Sequence, residues 1–214
     1  MTIRWKLWLV PAALYALFVI WYTDFKGPLS NHEIDTFIAT MKTNGTSSEQ
    51  LERLETFLRQ DTGRQFLMVN NIDMNENPPN VDGAAPNENA DQLMARYMEH
   101  MLPALLSRAC HPVVMGDAVF TAMDVVGIEG AEQWTSAALF RYRSRRSFVD
   151  IVSNPAFAGK HHFKTAALDK TIAYPIETSL YLGDPRLLLA LVMLTVTALV
   201  DAFVLSRKRG HMQR

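Results

Sequence analysis

The sequence predicts a mixed α+β domain held between two membrane-spanning helices, one near each end of the chain. Residues 7–22 carry no charge, and residues 187–205 carry only one, Asp201. The chain between these apolar stretches changes repeatedly from helical to strand-like hydrophobic periodicity, which is typical of an α+β domain. With 21 Lys or Arg against 22 Asp or Glu, the charge balance gives no indication of a nucleic-acid partner.

The first span is predicted over residues 5–23. Its length approaches the ~20 residues needed to cross ~30 Å of hydrocarbon, and Trp or Tyr stands at both ends, where the headgroup region favours such rings. A cleaved signal peptide, with Arg4 and Lys6 as its basic start, is the alternative. Cleavage requires small residues, but the run ends Ile-Trp-Tyr-Thr-Asp, so we expect an uncleaved anchor.

The second span is predicted over residues 187–206, and Asp201 interrupts it. An ionisable group inside a span is a candidate for proton or ion transport, but that role needs a partner in the other span. Residues 7–22 contain no ionisable group except tyrosine. We therefore expect Asp201 to pair with Arg207 or Lys208 near the membrane interface.

Basic residues at both termini predict the orientation of the chain. Arg4 and Lys6 precede the first span, and the tail 207–214 carries several more basic residues. Because basic flanks favour the cytoplasm, both termini are expected there, with residues 24–186 on the far side of the lipid bilayer. In a bacterium this means the inner membrane, with a periplasmic domain.

Residues 28–62 are predicted to form a helical lead-in of two helices. Ser30 and Glu33 have the spacing of a capping box before an apolar helical stripe. Asn44-Gly45 is a typical stop and turn signal. Ser47 or Ser48 is then expected to cap the second helix.

Residues 63–180 are predicted to form the main domain. The expected elements are a strand at 65–73, a loop at 75–90, a helix at 90–108, a strand with its continuation at 112–126, a strand at 135–143, a two-part helix and a strand at 171–176. Pro103 is expected to kink or restart the first of these helices, and Pro175 suits an edge strand. The order β-α-β-β-α-β is the ferredoxin-like split βαβ arrangement.

The second helix of this domain is expected in two parts. Ser147 is predicted to cap the first part. Asn154 and Pro155 have the pattern of a fresh helix start, leading through Phe157. Arg145 and Arg146 oppose the helix dipole at the first start, so an anion or an acidic partner is expected beside them.

Three segments carry a family resemblance. They are Phe66-Leu-Met-Val-Asn-Asn, the pair Met101-Leu-Pro-Ala-Leu-Leu and Pro112-Val-Val-Met-Gly, and the strand from Leu139 that leads to Asn154-Pro-Ala-Phe. Together they resemble the dimeric α+β barrel superfamily, and within it the DUF1330-like domains, over residues 64–178. The sequence departs from the family where a pair of glycines is expected after the first helix, because Cys110-His111 stands there.

The resemblance implies a homodimer whose sheets pack face to face, with a small cavity between sheet and helices or between subunits. The superfamily includes haem-binding proteins, cofactor-independent monooxygenases, isomerases and ligand-binding proteins, so the fold does not select a function. Cys110 is the only cysteine, which excludes an intrachain disulfide.

Strand alternation indicates which side chains share a face of the sheet. In the third strand, Leu139, Arg141 and Arg143 lie opposite Phe140 and Tyr142. Two arginines on one face have the geometry to clamp a carboxylate. The alternative, which we favour from the sequence, is a solvated face or a salt bridge to an acid such as Asp124.

A cavity lined by polar groups is the second candidate site. Asn70, Tyr97, Arg141 and His162 are expected to contribute to it, which suits an anion or a carbonyl group beside a proton donor. His161 and His162 are adjacent on a helix, point about 100° apart and do not chelate one metal together. Neither a metal nor a cofactor is expected, and the sequence contains no nucleophile–base motif or phosphate loop.

The function expected from the sequence is a membrane-anchored binding module. Its extracytoplasmic domain would dimerise and hold a small, anionic molecule. One alternative is a cofactor-independent oxygenase or isomerase acting on a lipophilic substrate. Another is a structural subunit of a membrane complex, because small residues such as Thr195 and Ala198 let a second span pack closely against a partner protein.

Overall fold

The computed structural model describes residues 3–155 and 159–212, with side chains up to Ser206. The chain divides into two units, a pair of terminal helices up to Thr23 and from Ser179, and a central domain, Asp24–Thr178. The helices are α1 (Ile3–Tyr22), α2 (Asn31–Thr43), α3 (Ser48–Arg59), α4 (Ala90–Leu106), α5 (Arg145–Val152), α6 (His161–Ala167) and α7 (Pro185–Met212). The strands are β1 (Phe66–Met74), β2 (His111–Asp117), β3 (Ser136–Tyr142) and β4 (Leu168–Ile176).

The terminal unit is an antiparallel pair of apolar helices. Segments Arg4–Tyr22 and Pro185–Ser206 are both long and apolar enough to cross a membrane. The Tyr15 hydroxyl donates a hydrogen bond to the Arg186 carbonyl at 3.2 Å, which joins α1 to the start of α7. Most large apolar side chains of both helices point outward, and few residues of either helix are buried.

Asp201 is held by the first helix. Arg4 donates from Nε and Nη2 to the two carboxylate oxygens at 2.9 and 2.8 Å, and the Trp8 indole donates at 3.4 Å. The side chains of Arg207 and Lys208, the expected partners, lie outside the described residues. The partner observed for Asp201 is Arg4, which lies just before the predicted first span and was not expected from the sequence.

The lead-in is a two-helix layer that covers part of the central domain. Its capping box is confirmed, because the Glu33 backbone donates to Ser30 Oγ at 3.3 Å and Glu33 Oε2 accepts from the Ser30 backbone at 2.8 Å. Ser47 caps α3 by accepting from the Gln50 backbone at 3.3 Å. Ile34, Phe37 and Leu58 form the buried core between the two helices.

The central domain is a four-stranded antiparallel sheet with helices on one face. The strand order is β2-β3-β1-β4, so β1 is central and pairs with both β3 and β4. With the element order β-α-β-β-α-β, this confirms the ferredoxin-like arrangement predicted from the sequence. Pro175 lies on the edge strand β4, where a missing N–H is tolerated.

Several predicted boundaries were wrong. β2 stops at Asp117 instead of continuing through the apolar run that follows, and α4 runs without a restart through Pro103 to Leu106. A kink at Pro103 stays a prediction. Ser144, not Ser147, caps α5, because Ser144 has an extended backbone and its Oγ accepts from the Ser147 backbone at 3.2 Å. The predicted passage through Phe157 lies outside the described residues.

Arg145 and Arg146 attach α5 to the lead-in, and the acidic partners expected for them are present. Arg146 Nε donates to Glu33 Oε1 at 2.7 Å. Arg145 forms ion pairs with Asp61 at 3.6 Å and Glu177 at 3.4 Å. Hydrogen bonds from Arg146, and then from the Ser30 backbone and hydroxyl, lower the pKa of Glu33 to about 2.

Replacing Glu33 with Gln tests this attachment through pH. A depressed carboxyl pKa stabilises the fold above the ordinary value of 4.5, and this stabilisation is lost as pH falls toward about 2. We expect Glu33→Gln to lower the free energy of unfolding at neutral pH by on the order of 1 kcal/mol, because the pair is partly exposed. The loss is measured as a lower thermal midpoint. The difference in stability between the variant and the natural chain should disappear near pH 2. The exposed Glu52→Gln variant is the control, and an equal effect there would contradict the prediction.

Replacing Arg4 with Ala tests the helix pair. The variant leaves the Asp201 carboxylate buried without its charged partner, so we expect a lower melting temperature of the full chain in detergent. The exchange of the two residues, Arg4→Asp with Asp201→Arg, should recover part of the loss. Lys6→Ala is the matched control for removing a basic residue, and Arg4→Ala melting like Lys6→Ala would argue against the pair.

Candidate functional site

A cavity of about 490 Å³ lies between the helix-covered face of the sheet and α4, α5 and α6. Its size is in the range of small-molecule sites. Six of the eleven methionines of the chain line it, namely Met68, Met74, Met94, Met98, Met101 and Met115. Unbranched thioether side chains adapt to ligands of different shape, so the walls suit an apolar guest.

The register of the sheet leaves room for this cavity. Asn70 in β1 pairs with Ala138 in β3 and with Ala173 in β4. Paired residues project from the same face, so two alanines flank Asn70 at the centre of the sheet, and all three line the cavity. Bulkier Phe140 and Tyr142 follow along β3 and form one end of the cavity.

Asn70 is the polar group on the floor of the cavity. It is only 8% exposed, and its Nδ2 donates to the carbonyls of Met68 at 3.1 Å and Ala138 at 3.3 Å. These two bonds fix the orientation of the amide. Within the part of the chain that the structure describes, nothing donates to Asn70 Oδ1, which leaves this oxygen as an acceptor for a ligand O–H or N–H.

Tyr97, His161 and Lys164 form a polar cluster on the helix side. The Tyr97 and His161 rings are 6.2 Å apart edge to face, and Lys164 Nζ lies 5.9 Å from the centre of the Tyr97 ring. Burial lowers the pKa of Lys164. Burial, and then the charges of Lys164 and His162, lower the pKa of His161. Both shifts favour the neutral form of the side chain, and the lowered pKa of His161 favours a neutral imidazole at pH 7.

Two tyrosines add proton donors. Burial raises the pKa of Tyr97 to about 12. Burial, followed by the proximity of Tyr97 and Cys110, raises the pKa of Tyr142 still further. Both hydroxyls therefore stay protonated over the physiological range. Each can donate a hydrogen bond to a carbonyl or carboxylate oxygen in the cavity.

Lys164 has no carboxylate partner among the described residues. Asp91 and Asp117 also line the cavity, but both are exposed and neither forms an ion pair with Lys164. A partly buried ammonium without a counter-charge is unfavourable, because desolvation penalises its charged form. An anion beside Lys164 would supply the counter-charge that this group lacks.

The structure brings together two of the five predicted site residues. Asn70 and Tyr97 line the cavity, whereas Arg141, Arg143 and His162 are not among the described residues that line it. His162 Nε2 lies 3.0 Å from the Asp82 carbonyl and so contacts the loop before α4.

Arg141 was expected on an open face, and that expectation was wrong. It is fully buried, and it donates from Nε to Gln65 Oε1 at 2.8 Å and from Nη1 to the Ala109 carbonyl at 2.5 Å. The first bond ties β3 to the segment just before β1, and the second ties it to the turn between α4 and β2. Arg143 lies just past the end of β3, where its backbone N–H donates to Cys110 Sγ at 3.4 Å. The pair does not form a carboxylate clamp on an exposed strand face.

Sequence reasoning missed His161, Lys164 and Tyr142. The last of these was within reach, because alternation along β3 already placed Tyr142 on the face of Ala138 and opposite Arg141. His161 and Lys164 lie three residues apart, so they share a face of the helix. Choosing His162 as the inward-facing residue, an error of one position, hides this pattern. Among the described residues, no three His, Cys, Asp or Glu side chains gather as a metal site.

Comparison with solved structures finds proteins of similar fold. The RPA0582 protein of unknown function from Rhodopseudomonas palustris matches with a TM-score of 0.50 and 16% identity, over 64% of this chain and 96% of its own. Its methylated form matches with a TM-score of 0.51 and 16% identity, over 65% and 96%. A dimeric protein of unknown function with a ferredoxin-like fold from Bacteroides fragilis reaches 0.33 at 12% identity, over 53% and 96%.

The two likenesses to the Rhodopseudomonas palustris protein concern the fold alone, since the identities are low. The sequence matches no protein-family model and none of the curated proteins. Membership of a DUF1330-like family, expected from the resemblance, is therefore not confirmed.

Replacing Lys164 with Met tests the unpaired cation. The change removes a charge that folding partly buries and adds an apolar side chain, so we expect a more stable protein. A gain of ~1 kcal/mol raises the thermal midpoint by about 2–4 °C in a domain of this size. Because the pKa of Lys164 is lowered in the fold, the gain should shrink as pH rises through that lowered value toward 10.5. A destabilised variant at pH 7 would contradict this account.

Proposed function

We propose that this protein is a membrane-anchored binding module that holds a small amphiphilic anion in the cavity of its central domain. One observation supports this proposal above the others, namely that Lys164 lines a methionine-walled cavity without a carboxylate partner among the described residues. An apolar chain would fill the space between the methionines. Its acidic head would lie beside Lys164.

The other polar groups refine the ligand chemistry. A carboxylate at Lys164 could accept a second hydrogen bond from the Tyr97 hydroxyl, since these two groups are neighbours. Asn70 Oδ1, on the floor of the cavity, suits a hydroxyl further along the ligand. The proposed class is therefore a medium-chain carboxylic acid, with or without a hydroxyl on the chain.

The membrane anchor is supported by the character of α1 and α7. Both expose large apolar side chains along their length, for example Leu17 at 64% and Leu199 at 66%. Such surfaces suit lipid and are unusual in water. Arg4 and Trp8 complete the hydrogen bonding of Asp201, so removal of α1 as a signal peptide would leave a carboxylate within an apolar helix without its charged partner. With basic residues at both ends, the proposed topology has cytoplasmic termini and an extracytoplasmic domain.

The proposed oligomer is a homodimer formed through the open face of the sheet. Val114, Leu139, Val69 and Tyr174 are successive cross-strand partners, so they form an apolar row across all four strands. Val114 is 56% exposed and Tyr174 is 46% exposed. Pairing two such rows face to face would bury them, as sheets do when they pack ≈ 10 Å apart.

A second candidate function is acid–base catalysis in the same cavity. The observation in its favour is that Tyr97, His161 and Lys164 all have shifted pKa values in one concave site. A neutral His161 could remove a proton beside a carbonyl that Lys164 polarises. Turnover lost in His161→Ala with ligand binding retained would identify an enzyme, whereas binding without turnover of any bound acid would identify a carrier.

Calorimetric titration of the full chain in detergent tests the binding proposal. We expect decanoate to bind and the neutral analogue decanol to bind at least tenfold more weakly, because decanol cannot pair with Lys164. Lys164→Met should reduce decanoate affinity by a factor of about 10 or more, as a charge-assisted bond is worth ~1.5–3 kcal/mol. Lys42→Met, at an exposed position on α2, is the matched control and should bind as the natural chain does. Equal affinity for acid and alcohol would refute the proposal.

Light scattering of the purified full chain tests the dimer. Leu139→Lys places charges against each other at the centre of the proposed interface, so we expect a monomer. Leu106→Lys, an exposed position on α4, should leave the dimer intact. A dimer that survives Leu139→Lys would show that the open face is not the interface.

A further inference from the structure

The connection between β2 and β3 is an ordered hairpin, which we call the arm (residues 118–134). Its two sides are joined by backbone hydrogen bonds from Ala118 to Thr135 at 2.9 Å and from Ala122 to Glu132 at 2.8 Å. The Trp134 indole donates to the Ala131 carbonyl at 2.9 Å. Lys170 Nζ lies 5.1 Å from the centre of the Trp134 ring and anchors the base of the arm.

The arm exposes an unusual amount of apolar side chain. Val119 is 99% exposed, Met123 89%, Val126 83% and Phe120 74%. Single exposed apolar residues are ordinary, but a cluster of this kind on an ordered segment marks an interaction site.

The charge of the arm is entirely negative. Asp117 at its base and Asp124, Glu129 and Glu132 within it are accompanied by no Lys, Arg or His from residue 117 to residue 134. None of these four carboxylates forms an ion pair within the part of the chain that the structure describes. An anionic lipid surface would repel such a segment, which disfavours the bilayer as its partner.

A surface of opposite charge lies beside the cavity. Residues 160–164 read Lys-His-His-Phe-Lys, and no acidic residue occurs from 159 to 168. Lys160 and Lys164 have aromatic neighbours, Phe163 and Tyr97, but no carboxylate partner among the described residues. The start of α6 therefore places positive charge next to the apolar, methionine-lined cavity. This combination is complementary to the acidic arm and its exposed apolar side chains.

We propose that the arm of one copy of this chain packs over the cavity of a second copy, beside its α6. Phe120 and Met123 would cover the apolar opening, and the arm carboxylates would face Lys160 and the histidines. This inference rests on the homodimer proposed above. It adds that each site is completed by the partner copy, so a ligand is enclosed only in the dimer.

Site-specific crosslinking between two differently tagged full-length chains tests this arrangement. One chain carries Met123→Cys in the arm and the other carries Lys160→Cys beside α6, and they are coexpressed and treated with a short bismaleimide. The natural Cys110 is fully buried, and the natural chain serves as the blank. A second control pairs Met123→Cys with His32→Cys, an exposed position on α2.

We expect a mixed-tag covalent dimer from Met123→Cys with Lys160→Cys, at least tenfold above the His32→Cys control. In a single chain that carries both cysteines, the product should run mainly at dimer mass. A crosslinked monomer would instead show that the arm closes over its own cavity and would overturn the inference. A dimer by light scattering without this crosslink would also overturn it while leaving the homodimer in place, and a monomer by light scattering would overturn both.

Discussion

The cavity depends on the register in which β1 pairs with its two neighbours. That register sets Asn70 between Ala138 and Ala173 at the centre of the helix-covered face. The side chains of Ala138 and Ala173 are single methyl groups. They leave empty the space that leucine or phenylalanine would fill at those positions. A shift by one residue would turn Asn70 to the other face and bring Val69 inward, which would exchange the two sides of the sheet.

The helices above the sheet give this space its chemistry. α4 supplies three of the six methionines and Tyr97, and α6 supplies His161 and Lys164. Since the two acids that line the cavity are exposed and unpaired with Lys164, its interior is apolar with a local positive charge. The partial desolvation of the Lys164 ammonium lowers the stability of the fold. Groups placed for binding often lower stability in this way.

Sequence reasoning recovered the element order and the helix caps of the lead-in, because those depend on local patterns. The Ser30 and Glu33 box needs only four residues to specify it. Sequence reasoning failed where the choice between two residues depended on contacts with distant parts of the chain. Ser144 and Ser147 both have the composition of a cap, and the extended backbone before α5 decides between them.

The site was predicted in part for the same reason. Asn70 follows from strand alternation and Tyr97 from helix periodicity. Arg141 has the sequence signature of an anion clamp, but its partners, the Gln65 side chain and the Ala109 carbonyl, come from remote parts of the chain. Likewise, nothing local indicates that Arg4 meets Asp201 across 197 residues. Such pairings depend on the tertiary fold.

Native mass spectrometry of the full chain released from detergent, compared with an Ala138→Leu variant, tests the central claim most directly. Leucine at this position fills the space beside Asn70, while the open face of the sheet is unchanged. We predict that the natural chain carries a non-covalent mass of an apolar carboxylic acid and that the variant, folded and equally oligomeric, carries none. The same bound mass in both proteins would contradict the assignment of this cavity as the binding site.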